Sequence, residues 1–94
     1  MAWVYILRCS DGSLYVGHTD DIERREREHQ EGRGGAYTRK RSPVTMVYRE
    51  ELPTMDDAVR RERQIKRWTA AKKEALIASD IQTLKLLSRS HQRR

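Results

Sequence analysis

The chain predicts a small α/β domain built on an antiparallel sheet. Three observations predict it. An apolar, β-rich run at 3–9 is followed by a short turn and a second strand at 14–17. A third such run lies at 44–52. The segments between and after these runs carry helix caps and helical spacing. The predicted order is β-β-α-β-α-α, with a further short helix at the end. A two-stranded hairpin does not stand alone in water, so the third strand is expected to join it.

The elements can be justified in turn. Ser10-Asp11-Gly12 forms the turn, with Gly12 suited to positive φ. A three-residue loop sets Cys9 opposite Ser13, Tyr5 opposite Gly17 and Tyr15 opposite Leu7. Both tyrosines then share one face of the sheet; a one-residue slip would separate them. Gly17 opposite Tyr5 leaves room for a ligand or another backbone. Asp20 or Asp21 can cap a helix that opens at Ile22 and stops at Gly32. Residues 32–43 read as a loop, with three glycines and four basic residues. Thr54-Met55-Asp56-Asp57 resembles a capping box and opens a helix to about residue 67. Thr69 caps another through Ile77, anchored by Leu76 and Ile77, and Asp80 a last one carrying Ile81, Leu84, Leu86 and Leu87. The basic tail at 88–94 is expected to fray. Residues 1–80 are thus the expected domain, with 81–94 a C-terminal extension.

The composition narrows the function classes. Twenty Lys and Arg face 14 acids in 94 residues, a net charge of +6. Such an excess favours polyanions, nucleic acid first and an anionic membrane surface second. Cys9 is the only cysteine, so no internal disulfide forms and no Cys/His cluster holds zinc. It reads as a small buried apolar residue on a strand. The N-terminal run is too short for a signal peptide, and no apolar run is long enough to span a membrane. The expected compartment is a reducing cytoplasm.

The informative residues are polar ones on faces that ought to be buried. On the helix from Met55, at 100° per residue, Met55, Ala58, Val59 and Ile65 share one face, and Glu62 falls near its centre. A carboxylate there needs a partner: a cation, a hydrogen-bond donor or a metal. The plainer alternatives are a salt bridge to an arginine and a place at the rim of the core. On the helix from Ile22, the lone aliphatic Ile22 marks the inward face. Arg25 and His29, spaced i, i+4, project from that same side. Arg24 and Arg27 point elsewhere as solvated charges.

Together these residues suit phosphodiester hydrolysis. That reaction needs positive charge at the phosphate, a proton acceptor for the attacking water and help for the leaving oxygen. Arg25 is a fixed, bidentate cation. Glu62 is a hard oxygen ligand suited to magnesium, which takes only one or two carboxylates and keeps its waters. Tyr5, Tyr15 and His29 can move protons.

On these residues the chain resembles the GIY-YIG endonuclease superfamily, in particular its short, single-domain bacterial members. Val4-Tyr5-Ile6 stands for the first triplet of that family and Tyr15-Val16-Gly17 for the second. Arg25 and His29 follow on the first helix, and Glu62 lies in Arg61-Glu62-Arg63-Gln64-Ile65-Lys66. The loop 32–38 and the stretch 43–48 are also similar, so the likeness covers roughly residues 3–78. Three positions depart from the pattern. Val4 replaces an initial glycine, Glu26 an aliphatic residue, and His18 a smaller or neutral one that could touch substrate or simply be exposed.

The resemblance implies an α+β fold, a three-stranded antiparallel sheet flanked by helices. It implies that Tyr5, Tyr15, Arg25, His29 and Glu62 form the catalytic site. Arg25 would steady the phosphate and Glu62 would bind magnesium or manganese. One of the tyrosines, or His29, would help deprotonate water.

The expected partner is nucleic acid, DNA in the first instance. Arg33, Arg39, Lys40 and Arg41 would hold phosphates, with Lys66, and Tyr37 would stack a base. No extra DNA-binding domain is expected, so the expected source of specificity is the surface of the chain itself or a protein partner. The alternative is a nucleic-acid-binding module that does not cut. Against it, a pure binder has no need of Glu62 on an inward face. A third possibility is a protein-docking stripe formed by Leu84, Leu86 and Leu87.

Overall fold

A computed structural model of the chain describes residues 1–78. The elements are β1 (Ala2–Arg8), β2 (Leu14–Thr19), α1 (Ile22–Gln30), α2 (Ala36–Arg39), β3 (Thr45–Leu52), α3 (Met55–Lys66) and α4 (Ala70–Ile77). The cap at Asp80, the helix carrying Ile81, Leu84, Leu86 and Leu87, and the basic tail lie outside the described residues.

β1 is the central strand of a three-stranded antiparallel sheet ordered β2-β1-β3, the predicted α+β architecture. Its continuous apolar run follows from burial on both faces. Ala2, Val4 and Ile6 join Val16 against Ala58, Ile65 and Leu76 of α3 and α4. Tyr5 and Leu7 pack with Ile22 of α1 on the other face, beside Trp3, Tyr15 and Met46. Val4, Ile6 and Ile65 are fully buried, each contributing about 1.5–3 kcal/mol by leaving water.

The hairpin closes through the three-residue loop, with the Cys9 N–H donating to the Ser13 carbonyl at 2.9 Å. The register therefore sets Tyr5 opposite Gly17 and Leu7 opposite Tyr15. Cys9 is buried, one residue beyond the end of β1 rather than on it. β3 starts at Thr45, after the buried Val44. A bulge shifts its register between Ile6 and Leu7, which face Tyr48 and Met46.

The caps act as their residue types dictate. The carboxylate of Asp21, not Asp20, accepts from the Arg24 N–H, and Gly32 follows the helix with φ of 77°. Thr54 accepts from Asp57 N–H and Thr69 from Lys72 N–H.

Two expectations about packing fail. Residues 32–43 are not all loop, because Ala36–Arg39 form one helical turn. Nothing in their glycine-rich, basic sequence has apolar periodicity; the turn carries a single buried side chain, Thr38. Met55 is 40% exposed and lies outside the core, because the helix only meets the sheet from Ala58 onward. One buried charge was unforeseen. Lys72 lies 4.1 Å over the ring of Trp68, whose aromatic face takes the place of a counter-ion.

Candidate active site

The three-residue hairpin loop puts Tyr5 and Tyr15 on one face, and α1 brings His29 to them. Ring centroids are 6.4 Å apart for Tyr5 and Tyr15, 5.8 Å for Tyr5 and His29, and 6.0 Å for Tyr15 and His29. The Tyr5 hydroxyl lies 3.3 Å from His29 Nε2. Gly17 makes this possible by close approach, since a Cβ there would stand 2.5 Å from the Tyr5 hydroxyl. Residue 17 must therefore be glycine for Tyr5 to lie flat across the strand.

Arg25 projects from the same face of α1. Its Nη1 is held by Glu28 at 3.2 Å, while its Nε is buried with no hydrogen-bond partner among the described residues. A buried donor left unpaired is costly, and an anionic oxygen delivered to it would remove that cost. Ile22 and His29 are the only buried residues of α1, so one apolar anchor and the histidine dock the helix.

Glu62 reaches the site from α3 and lies at the rim of the core, with its side chain 14% exposed. Its Oε1 is 2.5 Å from His18 Nδ1 and its Oε2 is 2.8 Å from Lys66 Nζ. His18 is thus neither idle nor simply exposed; half-exposed, it is one of the two partners, with Lys66, that the helical arc required of Glu62. Burial pushes the Glu62 carboxyl up, but the hydrogen bonds and charges of Lys66 and His18 outweigh it and hold the group below its ordinary range. Glu62 is therefore an anion at neutral pH.

The same electrostatics ties the cluster together. Burial raises the Tyr5 phenol well above its usual value; Arg25 opposes this, while Tyr15, Glu62 and Glu28 add to it. Tyr5 is thus protonated at neutral pH. Burial, then Arg25, lowers His29, and Glu28 partly offsets them, so the imidazole is neutral. The unfolded chain binds a proton at this histidine near pH ~6.5, whereas the folded chain resists until lower pH. Folding stability should therefore fall as pH drops below about 6.5, until the folded pKa is passed. In urea unfolding across that window, His29→Gln should show a shallower dependence; an unchanged slope would rule out this titration.

The flanking residues separate into two groups. Tyr37 stands beside Tyr15 at 5.6 Å between centroids and is 39% exposed. Arg41 lies 3.8 Å over the Tyr37 ring and is tied to Asp11 and to the Tyr37 carbonyl, each at 3.1 Å. Arg33 pairs with Glu31, and Lys66 with Glu62. Arg39 and Lys40 are exposed and make no ion pair among the described residues. Of the predicted phosphate contacts, these two are the best placed, whereas Arg41 and Lys66 already serve carboxylates.

Sequence reasoning missed Glu28, which holds Arg25, and Thr38, whose Oγ1 is 3.0 Å from His29 Nδ1. A buried histidine has two ring nitrogens to satisfy, and that demand was the only signal pointing to such a partner.

The donor set bears on a metal. No group of three or more His, Cys, Asp or Glu residues among the described residues could hold one. A hard ion that keeps most of its waters needs less, and one anionic carboxylate at the rim of a polar cluster is the right kind of donor. Both Glu62 oxygens are engaged here, by His18 and Lys66, so an ion would have to displace one of them. Glu62 would be its protein ligand.

The sequence profile of the GIY-YIG catalytic domain matches residues 1–75, and the chain belongs to that family. Membership implies nuclease chemistry on nucleic acid, generally aided by a divalent metal ion. The relatives bear the name UPF0213 protein. One from Haloquadratum walsbyi is 51% identical over 79% of this chain and 83% of its own length. One from Staphylococcus aureus is 47% identical over 80% of this chain and 92% of its own. The solution NMR structure of a UPF0213 protein from Bacillus halodurans is 42% identical, with a TM-score of 0.54, covering 83% of this chain and 84% of that one. No helix among the described residues is long and apolar enough to cross a membrane.

Proposed function

We propose that this chain is a metal-dependent endonuclease that hydrolyses phosphodiester bonds of DNA, with magnesium or manganese on Glu62. The observation that supports this most is the convergence of an unpaired Arg25 Nε, a neutral His29 bridged to Tyr5, and an anionic Glu62. A binding module would have no use for that combination.

The residues divide the work as follows. Arg25 grips non-bridging phosphate oxygens and counters the charge that builds up on them. The attacking water gives its proton to the Tyr5 oxygen as the phenol passes its own to His29 Nε2. Arg25 disfavours the resulting imidazolium, and the incoming phosphate offsets that repulsion. Tyr15 walls the cluster and orders the reacting groups. The divalent ion, when bound, supplies positive charge at the phosphate and the leaving oxygen.

Tyr37 offers an exposed aromatic edge to a neighbouring base, and Arg39 and Lys40 contact flanking phosphates. Arg33 is exposed enough to join them. Residues 1–80 form the catalytic unit. In the extension 81–94, Arg89, Arg93 and Arg94 add sequence-independent affinity. A protein partner supplies specificity in a cytoplasmic setting, where the work is repair or recombination.

The decisive experiment is cleavage of labelled DNA and RNA forms with magnesium, manganese or chelator. Metal-dependent cutting is expected, with DNA preferred. Binding without cutting on every form would favour the non-catalytic module. Removing Arg39 and Lys40 together should lower the slope of log affinity against log salt by about 1.4–1.8. An unchanged slope would remove both from the phosphate contacts.

A further inference from the structure

We infer that Thr38 is a positioning residue that holds His29 with its proton on Nδ1, leaving Nε2 open to accept from Tyr5. The catalytic meaning of this rests on the nuclease reading above, but the tautomer itself does not.

The assignment follows from counting donors and acceptors in a closed space. Tyr5 is 2% exposed, and its hydroxyl hydrogen must be donated. Among the described residues its partner is His29 Nε2, at 3.3 Å. A nitrogen that accepts carries no hydrogen, so the neutral ring bears its proton on Nδ1. That N–H needs an acceptor of its own, because His29 is also 2% exposed. Thr38 Oγ1 stands 3.0 Å away and is itself buried. The bond on one ring nitrogen thus decides the state of the other.

The surroundings hold the ring in this pose. The Tyr5 and Tyr15 rings flank it. Gly34 lies against it so closely that any Cβ there would overlap the imidazole. Gly34 and Thr38 both belong to the segment between α1 and β3, and Thr38 sits on the single turn of α2. The role of that turn is to bring a hydroxyl under the histidine. Arg25 and Glu28 of α1 are the charged groups acting on the ring; neither takes the place of the Thr38 contact.

The inference orients proton flow. With Nδ1 occupied, His29 can take a proton only at Nε2, the nitrogen that faces Tyr5. In the opposite tautomer Nε2–H would point at the phenol, and Tyr5 would have no acceptor for its own hydrogen.

The test is ring-nitrogen NMR of the full chain, without metal or substrate, at a pH well above the histidine range. Two-bond correlations should show His29 Nδ1 protonated and Nε2 bare in the wild type and in Thr38→Ser. Thr38→Val, of nearly equal volume, should shift population to the Nε2–H form. Its cleavage rate should fall at least about tenfold, while Thr38→Ser stays within about threefold of the wild type. Wild-type His29 protonated on Nε2 would overturn the inference, as would an unaltered tautomer in Thr38→Val. Should Thr38→Val fail to fold, the wild-type spectrum alone still decides. The expected spectrum in a chain that cuts nothing would uphold the positioning and sink only the nuclease reading.

Discussion

Arg25→Ala is expected to bind nucleic acid within a few-fold of the wild type and to cut it at least about 100-fold more slowly. Glu62→Ala should behave the same way. Both residues meet charge that is largest as the phosphodiester breaks, so their loss raises the barrier more than it weakens binding. Affinity should rest instead on Arg39, Lys40 and the overall charge of +6. Arg25 is half-buried, and Glu28 is its ion-pair partner. Removing Arg25 frees a Glu28 side chain that is still 30% exposed and can be solvated, so the fold should survive. Glu62→Ala releases His18 and Lys66, which are more exposed than Glu62 itself. Single-turnover cleavage beside fluorescence anisotropy separates the two quantities. Normal cutting by either variant would remove that residue from the catalytic set.

The second large effect falls on stability. Ile65→Ala should cost about 2–5 kcal/mol, because the residue is fully buried among Ala2, Val4, Ile6, Val16 and Leu76. A chain of 94 residues has roughly 5–14 kcal/mol to lose. The melting temperature should therefore fall by about 10 °C or more. Met55→Ala, on the same helical arc, should cost under about 0.5 kcal/mol because Met55 lies outside the core. Ile65 is also one turn from Glu62, so its burial fixes which way α3 presents the carboxylate. Thermal unfolding followed by circular dichroism checks both values. Equal effects at the two positions would mean that α3 packs on a different face.

The strands and caps were legible because they depend on near neighbours. The turn at residues 10–12 sets the register of β1 and β2, and with it the shared face of Tyr5 and Tyr15. Thr54 and Thr69 mark helix starts through bonds to backbone N–H groups three residues on. The i, i+4 spacing of Arg25 and His29, and the place of Glu62 on the same face as Ala58 and Ile65, follow from helix geometry. Periodicity alone was enough to single them out.

Other features depended on contacts between residues far apart in the chain. His18 and Glu62 are 44 positions apart, and their pairing required α3 to lie along β2. The turn of α2 has no periodicity of its own, and Arg41 looked like a free cation because Asp11 is 30 residues away. The sequence by itself determined the sheet, the starts of α1, α3 and α4, and the inward placement of Arg25, His29 and Glu62. Only the tertiary structure decided what those side chains meet: Glu62 with His18, His29 with Thr38, and Arg25 with an unpaired Nε. The reason is physical. Local conformation is set by bonds spanning a few residues, whereas the partner of a buried polar group is whatever the packed chain brings within about 3 Å of it.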